Sequence, residues 1–381
     1  MVSKNGLSGI HTAKREDLPL VPQFRQSILP FTEDEKATVK NAREAVKLIY
    51  EGKDPRILVV HGPCSADDID EARRYIDWTA ETQPQVKDQF KLCVRLCGEK
   101  PRTSEEDWEG LIYEPFLDGE RNIIQGLYMV RELYKYAASK GVAVAAENLS
   151  ILFPAWINDG VTLGWGGARS VAYQDLQNMV STLSNPFGFK NDLTGDVGSA
   201  IRAIKKARQA NRTFLGIDIE TGLPAQLTGK GNPYTFPILR GGETGPNYDV
   251  AHVAEAQRLL RDAALQPKLL IDCSHGNSGK EKDYRKQPEV FINVSEQIVA
   301  GNDGIFGIMV EAYNREGSVA KKIPKDRHGF DHKTLEMGSS RTDGCVSRET
   351  LGDLLRTGAE YLRTRSRTTV QPYAPTTSPT A

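Results

Sequence analysis

The sequence predicts an α/β protein: a (β/α)8 TIM barrel with an N-terminal extension and a hairpin insertion after strand 6. Three observations lead there. Short, nearly continuous apolar runs alternate with helical stretches, and continuous runs suit parallel strands buried on both faces. Eight such runs can be counted, the number a closed barrel uses. Each is followed by a chemically committed side chain, as expected where the C-terminal ends of barrel strands form one rim. An open doubly wound sheet is the competing architecture, but no G-x-G-x-x-G stands in the setting it needs.

The elements follow in order. Residues 1–30 are polar and punctuated by proline, and read as an arm. Thr32 followed by Glu35 is a capping box, and Val39, Ala42, Val46 and Ile49 mark one face of a helix ending near Gly52. The expected barrel strands are Arg56–His61, Lys91–Leu96, Val142–Ala146, Thr162–Ala168, Pro186–Phe189, Thr213–Ile217, Lys268–Ile271 and Ile305–Val310. Helical stretches such as Ile123–Lys140, Ala200–Gln209 and Tyr248–Ala264 lie between them. Residues 364–381 are rich in Thr, Ser and Pro and are expected to form a disordered tail, because they offer little apolar surface to bury. The division is therefore an arm and helix over 1–52, a catalytic barrel over 53–363, and the tail.

Composition removes several classes of function. With 49 Lys+Arg against 50 Asp+Glu, the chain lacks the basic excess of a generic nucleic-acid binder. No apolar stretch approaches the ~20 residues of a membrane span. The first residues show no apolar signal core, so the cytoplasm is the expected location. Five scattered cysteines do not make a disulfide framework.

The residues at the strand ends fall into two chemical sets. Cys64, His275, Glu311 and Asp343 offer sulfur, nitrogen and oxygen donors, a mixture that could hold a divalent transition metal. Each alone has a plainer reading as a buried thiol, a structural imidazole or a helix cap. The second set is Arg95, Lys100, Arg102, Arg169, Lys190 and Arg240. Cations converging on one rim repel each other unless anions join them, so phosphates or carboxylates are the expected ligands. Arg240 is placed in the insertion after the sixth run, and Asp343 beyond the eighth.

At this point the chain resembles the type I 3-deoxy-D-arabino-heptulosonate 7-phosphate (DAHP) synthases of the fungal and enterobacterial kind, over roughly residues 17–365. The resemblance is carried by Gly62-Pro63-Cys64-Ser65, Lys100-Pro101-Arg102-Thr103, Gly167-Ala168-Arg169, Gly188-Phe189-Lys190-Asn191, Leu239-Arg240-Gly241-Gly242, Ser274-His275-Gly276-Asn277-Ser278 and Thr342-Asp343, in family order and spacing. It implies condensation of phosphoenolpyruvate with erythrose 4-phosphate, releasing phosphate, at the head of the shikimate pathway of aromatic amino-acid biosynthesis. It also implies a divalent metal (Mn, Co, Fe or Zn) on Cys64, His275, Glu311 and Asp343, and a homodimer or homotetramer. Phosphoenolpyruvate falls to Arg95, Lys100, Glu147, Arg169, Lys190 and Arg240, and the aldose phosphate to Arg102 and Thr103. Lys100, His275 and Asp343 are the candidate catalytic groups, Lys100 with a pKa expected to be lowered by its cationic neighbours. Pro154 and Ser184 match a feedback-inhibitor site, although Ala155 stands where a Gln is usual.

The chain also departs from the family pattern. Cys97 and Gly98 replace an aromatic pair, Asn148-Leu149-Ser150 replaces Phe-Leu-Asp, and Ser170-Val171-Ala172-Tyr173 follows Arg169. Lost bulk beside Arg95 and Lys100 is expected to relax selectivity toward five-carbon aldose phosphates unless Tyr173 or Trp165 fills the space. A paralogue with another aldehyde acceptor, a barrel aldolase using Lys190 as a Schiff base, and a non-catalytic phosphometabolite-binding barrel are the alternatives.

Overall fold

The computed structural model describes residues 16–101, 108–324, 329–331 and 334–364. Its strands in chain order are β1 (Ile57–Gly62), β2 (Phe90–Arg95), β3 (Ala143–Glu147), β4 (Leu163–Gly166), β5 (Phe187–Lys190), β6 (Arg212–Ile217), β7 (Pro224–Gly229), β8 (Thr235–Leu239), β9 (Leu269–Asp272), β10 (Ile305–Tyr313) and the short β11 (Val346–Ser347). Strands β1–β5 and β8–β10 pair in parallel in that order, and β10 pairs back to β1, with Gly62 opposite Glu311. The barrel is closed. The longer helices are α2 (Glu33–Tyr50), α3 (Ile69–Val86), α4 (Ile123–Ser139), α7 (Val197–Arg208), α8 (Val250–Asp262), α9 (Gln287–Val299) and α10 (Arg348–Arg363), with the shorter α1 (Val21–Gln23), α5 (Pro154–Ile157) and α6 (Gln174–Val180).

Strand residues alternate between two cores, as period-2 geometry requires. Leu58 and Val60 of β1 point inward with Ala143, Ala145, Leu163, Trp165, Phe236, Ile238, Leu270 and Met309. Ile57 and Val59 point outward to the layer packed under the helices. The interior is plugged at one end by Val46, Ile49 and Tyr50 of α2, which join the inner cluster. The capping box at the start of α2 forms as the sequence predicts: Glu35 N–H donates to Thr32 Oγ1, and Thr32 N–H to Glu35 Oε2 at 2.8 Å.

The N-terminal extension runs through α1 and a widened helical turn at Phe24–Ile28. Arg131 of α4 anchors it, donating to Leu29 O and Trp156 O and pairing with Asp159 at 2.7 Å. The tail at 365–381 lies outside the described residues.

The place of the hairpin is corrected. Thr213–Ile217 is not the sixth barrel strand: it belongs to β6, which pairs antiparallel with β7 in a separate two-stranded sheet. The sixth barrel strand is β8, and the hairpin precedes it. Burial explains the difference. Phe214 is buried while Leu215 is 71% exposed, the alternation of a one-faced ribbon, whereas every residue of Thr235–Leu239 is buried. Asp218 consequently lies in the hairpin turn rather than on the rim, accepting from the Thr221 N–H at 2.7 Å. Arg240 follows a barrel strand directly.

Candidate active site

The strand ends bring the first set together. Donor atoms of Cys64, Glu311 and Asp343 lie within 4.8 Å of one another. Cys64 follows β1, Glu311 is in β10, and Asp343 is brought in by the chain leading to β11. His275 stands at the edge of this group, its Nε2 4.0 Å from Glu311 Oε1. It holds a left-handed backbone at φ 58, a conformation costing a β-carbon-bearing residue about 1–3 kcal/mol. Its Nδ1 is 2.9 Å from Asp272 Oδ2, in an orientation too poor for a proper hydrogen bond. Burial first, and then Lys190, hold the imidazole below its ordinary pKa, so it is neutral near pH 7.

The other donors are tuned by opposed forces. Burial pushes the Cys64 thiol up to about 11, with Glu311 adding and Lys100 opposing. Burial would raise Asp343, but Lys282 (Nζ at 3.2 Å), His275 and Lys100 hold it at about 2. Glu311 is wholly buried, which alone would raise it; Arg95 and His275 keep it below its ordinary value. It accepts from Arg95 Nη2 at 2.8 Å and from Ser274 Oγ at 2.9 Å. A soft sulfur, a neutral imidazole and two carboxylates fit a divalent transition metal, and a cation would displace the thiol proton.

The cationic set surrounds this cluster. Arg95, at the end of β2, donates to Pro63 O at 3.1 Å, and its buried Nη1 has no partner among the described residues. A β-carbon on Gly62 (φ +147) would lie 2.7 Å from Arg95 O, so only glycine admits this approach. Lys100 donates to Cys64 O at 2.6 Å and Sγ at 3.1 Å. Its expected low pKa is overturned. Burial alone would lower it, but Coulombic attraction to Cys64, Cys97, Glu147 and Glu311 outweighs burial and raises it above the ordinary lysine value. The sequence shows the cations near Lys100 but not the sulfur and carboxylates that the fold brings to it. Lys190 pairs with the buried Asp272 at 2.8 Å.

Arg240 is held by a network of three asparagines. Its N–H donates to Asn191 Oδ1 at 2.8 Å, Gly241 N–H to Asn247 Oδ1 at 2.7 Å, and Asn247 N–H to Asn277 Oδ1 at 2.7 Å. Burial and, less strongly, the like charge of Arg169 lower its pKa, although Asp272 counters them. Arg169 is exposed in the loop after β4, and Glu147 is half-buried at the end of β3 beside Gly167.

Two features bear on the altered wall. Trp165 is fully buried inside the barrel, and a β-carbon on Gly98 would come within 2.8 Å of Val130. Tyr173 borders a cavity of about 590 Å3 that Lys100 also lines, together with Pro101, Tyr113 and Arg121. Arg102 and Thr103 lie outside the described residues. Pro154 and Ser184 are apart from the rim and share a cavity of about 380 Å3 with Arg25, Arg43, Ala155 and Leu183. Sequence reasoning gave Asp272 no role beyond its place at a strand end, and it missed Lys282 and Asn247, which carry no local signal.

Known proteins resemble this chain in sequence and in fold. A sequence model of the DAHP synthetase I family matches residues 34–356. The Tyr-sensitive phospho-2-dehydro-3-deoxyheptonate aldolase of Escherichia coli is 36% identical, over 93% of this chain and 96% of that protein. The tyrosine-inhibited enzyme of Schizosaccharomyces pombe is 38% identical over 91% of each. The solved structure of phospho-2-dehydro-3-deoxyheptonate aldolase from Francisella tularensis superposes with a TM-score of 0.86 at 33% identity, covering 93% of this chain and all of that one.

Proposed function

The chain belongs to the DAHP synthetase I family, and on that premise we propose that it condenses phosphoenolpyruvate with erythrose 4-phosphate and water to give DAHP and inorganic phosphate. The observation that carries this reading is the placement of Cys64, Glu311 and Asp343 within 4.8 Å of one another beneath Arg95 and Lys100, with Lys190 and Arg240 alongside. A trianionic enol phosphate needs such cations, and an aldehyde needs an electrophilic partner.

Cys64, His275, Glu311 and Asp343 would hold a divalent metal, whose chemistry there is polarisation of the aldehyde carbonyl. Arg95, Lys190, Arg169 and Arg240 bind the carboxylate and phosphate, and present C3 of the enol to the aldehyde carbon. A C–C bond forms as the carbonyl π-bond moves onto oxygen, and protonated Lys100 is the group placed to donate a proton there. Its raised pKa suits an acid rather than a base. The oxocarbenium carbon C2 takes water, for which Glu147 is the nearby proton acceptor, and phosphate leaves by C–O cleavage. Arg102 and Thr103 would hold the distal phosphate of the aldose. The bulk of the buried Trp165 beside Arg95 supports the four-carbon sugar phosphate as the preferred acceptor.

The test is phosphoenolpyruvate consumption with four- and five-carbon aldose phosphates, with and without a chelator. Turnover of erythrose 4-phosphate that is lost on chelation and restored by Mn2+ is expected. Full turnover after exhaustive chelation sinks the metal reading, and efficient turnover of a different aldehyde alone makes the chain a paralogue.

Pro154 and Ser184 belong to a proposed effector site for an aromatic amino acid, supported by their shared cavity and by the names of the tyrosine-inhibited and Phe-sensitive relatives. A cytoplasmic homodimer or homotetramer is proposed. Among the described residues, no helix is long and apolar enough to cross a membrane.

A further inference from the structure

Trp165 lies beneath two cations of the rim, and the chemistry above uses it only as bulk. It sits in β4 between Glu147 of β3 and Gly188 of β5, fully buried. Small neighbours on β3, Ala143 and Ala145, share its inward-facing cluster. Two cations from different strands stand over its ring: the Arg95 guanidinium at 5.4 Å and the Lys190 ammonium at 5.9 Å from the centroid. Its indole N–H is buried with no hydrogen-bond partner among the described residues, as is Arg95 Nη1.

These contacts solve a physical problem. Arg95 and Lys190 must stay charged and close together in a dry site, yet keep donors for an incoming anion. Carboxylates already take one donor of each, through Glu311 and Asp272. An aromatic face attracts both cations without consuming any N–H, and the effect strengthens when the pair is desolvated. We propose that Trp165 is a positioning residue of the phosphoenolpyruvate site, a π platform that fixes Arg95 and Lys190 with their free N–H bonds turned toward the ligand. This rests on the functional reading above and names the support on which that site stands.

The test compares wild type, Trp165→Phe and Trp165→Leu, with divalent cation present. The readouts are KM and kcat for phosphoenolpyruvate, melting temperature, and tryptophan fluorescence during titration with phosphoenolpyruvate or inorganic phosphate. Trp165→Leu removes the platform and is expected to raise KM roughly tenfold, with a smaller change in kcat. Trp165→Phe keeps a weaker platform and should restore much of that affinity. It should also remove most of the ligand-dependent fluorescence change. A KM within twofold of wild type in both variants, with only melting temperature lowered, would reduce Trp165 to core filling. If Trp165→Leu does not fold, Trp165→Phe decides alone: unchanged KM together with an unchanged fluorescence response overturns the proposal. Wild type that binds phosphate through a Trp165-dependent signal but never consumes phosphoenolpyruvate would sink the functional reading and leave the platform standing.

Discussion

Glu99 and Lys100 are sequence neighbours with opposite electrostatic situations. Lys100 reaches Cys64 and is kept charged with the help of Glu147 and Glu311, whereas burial dominates at Glu99. Its carboxylate accepts the N–H groups of Leu149 at 3.3 Å and Ser150 at 3.0 Å, yet burial pushes it up to about 8 from an ordinary 4.5. The folded protein therefore keeps a proton that the unfolded chain releases near 4.5. Between these values the unfolded state binds fewer protons, so Glu99 makes stability fall as pH rises, by up to about 1.4 kcal/mol per pH unit. Glu99→Gln removes this dependence, and its stability should decline less than wild type between pH 5 and 8 in denaturant or thermal unfolding. A wild type that instead gains on the variant over that interval would mean the carboxylate is ionised in the fold. Residue identities at the site were legible because each follows an apolar run. Their ionisation was not, since the sign depends on distances to groups such as Glu311, more than two hundred positions from Lys100.

Among the elements, the loops after β5, β8 and β9 act as one unit. Asn191, Asn247 and Asn277 link them, and the backbones meet so closely that a β-carbon on Gly241 would lie 2.4 Å from the carbonyl carbon of Gly276. Gly241 also has φ +70. Gly241→Ala should cost about 1–3 kcal/mol from backbone strain, with more from the displaced loop. It should also raise the KM for phosphoenolpyruvate, because Arg240 is the preceding residue. Gly141→Ala is the control: it has φ +72 but nothing within 4 Å of the added carbon. Equal losses of melting temperature in the two variants would show that the close approach carries no weight. The glycine pair is visible in the sequence, but its meaning is not, because the opposing strand end comes from another part of the chain. The same limit explains the misplaced sixth strand. Thr213–Ile217 is apolar enough to pass for a barrel strand, and Pro237 makes Thr235–Leu239 look unlike one, since proline removes a ladder donor. Only pairing partners separate a two-faced strand from a ribbon with one face in water.

For the whole molecule, the barrel was legible because its interior demands continuous apolar runs, a local property of sequence. The metal cluster exists only when the barrel closes. Cys64, His275, Glu311 and Asp343 come from the first strand end, the loop after β9, β10 and the approach to β11, so an unfolded chain holds no such site. A divalent cation that binds these residues must stabilise the fold by mass action, by about 2.7 kcal/mol at a hundredfold excess over its Kd. For a chain of this size the gain corresponds to several degrees of melting temperature. The shift should also depend on pH. The Cys64 thiol, held at about 11, must surrender its proton on binding, so cation affinity should strengthen from pH 6 to 8 by up to tenfold per unit. Cys64→Ser should flatten that dependence and remove most of the shift. Melting curves across Mn2+ concentration and pH report both effects without any substrate. A wild-type melting temperature indifferent to Mn2+, Co2+, Fe2+ and Zn2+ would disconnect the donor cluster from metal binding. A shift of equal size and pH slope in Cys64→Ser would place the cation elsewhere, because a neutral hydroxyl in place of the sulfur cannot release the same proton near neutrality.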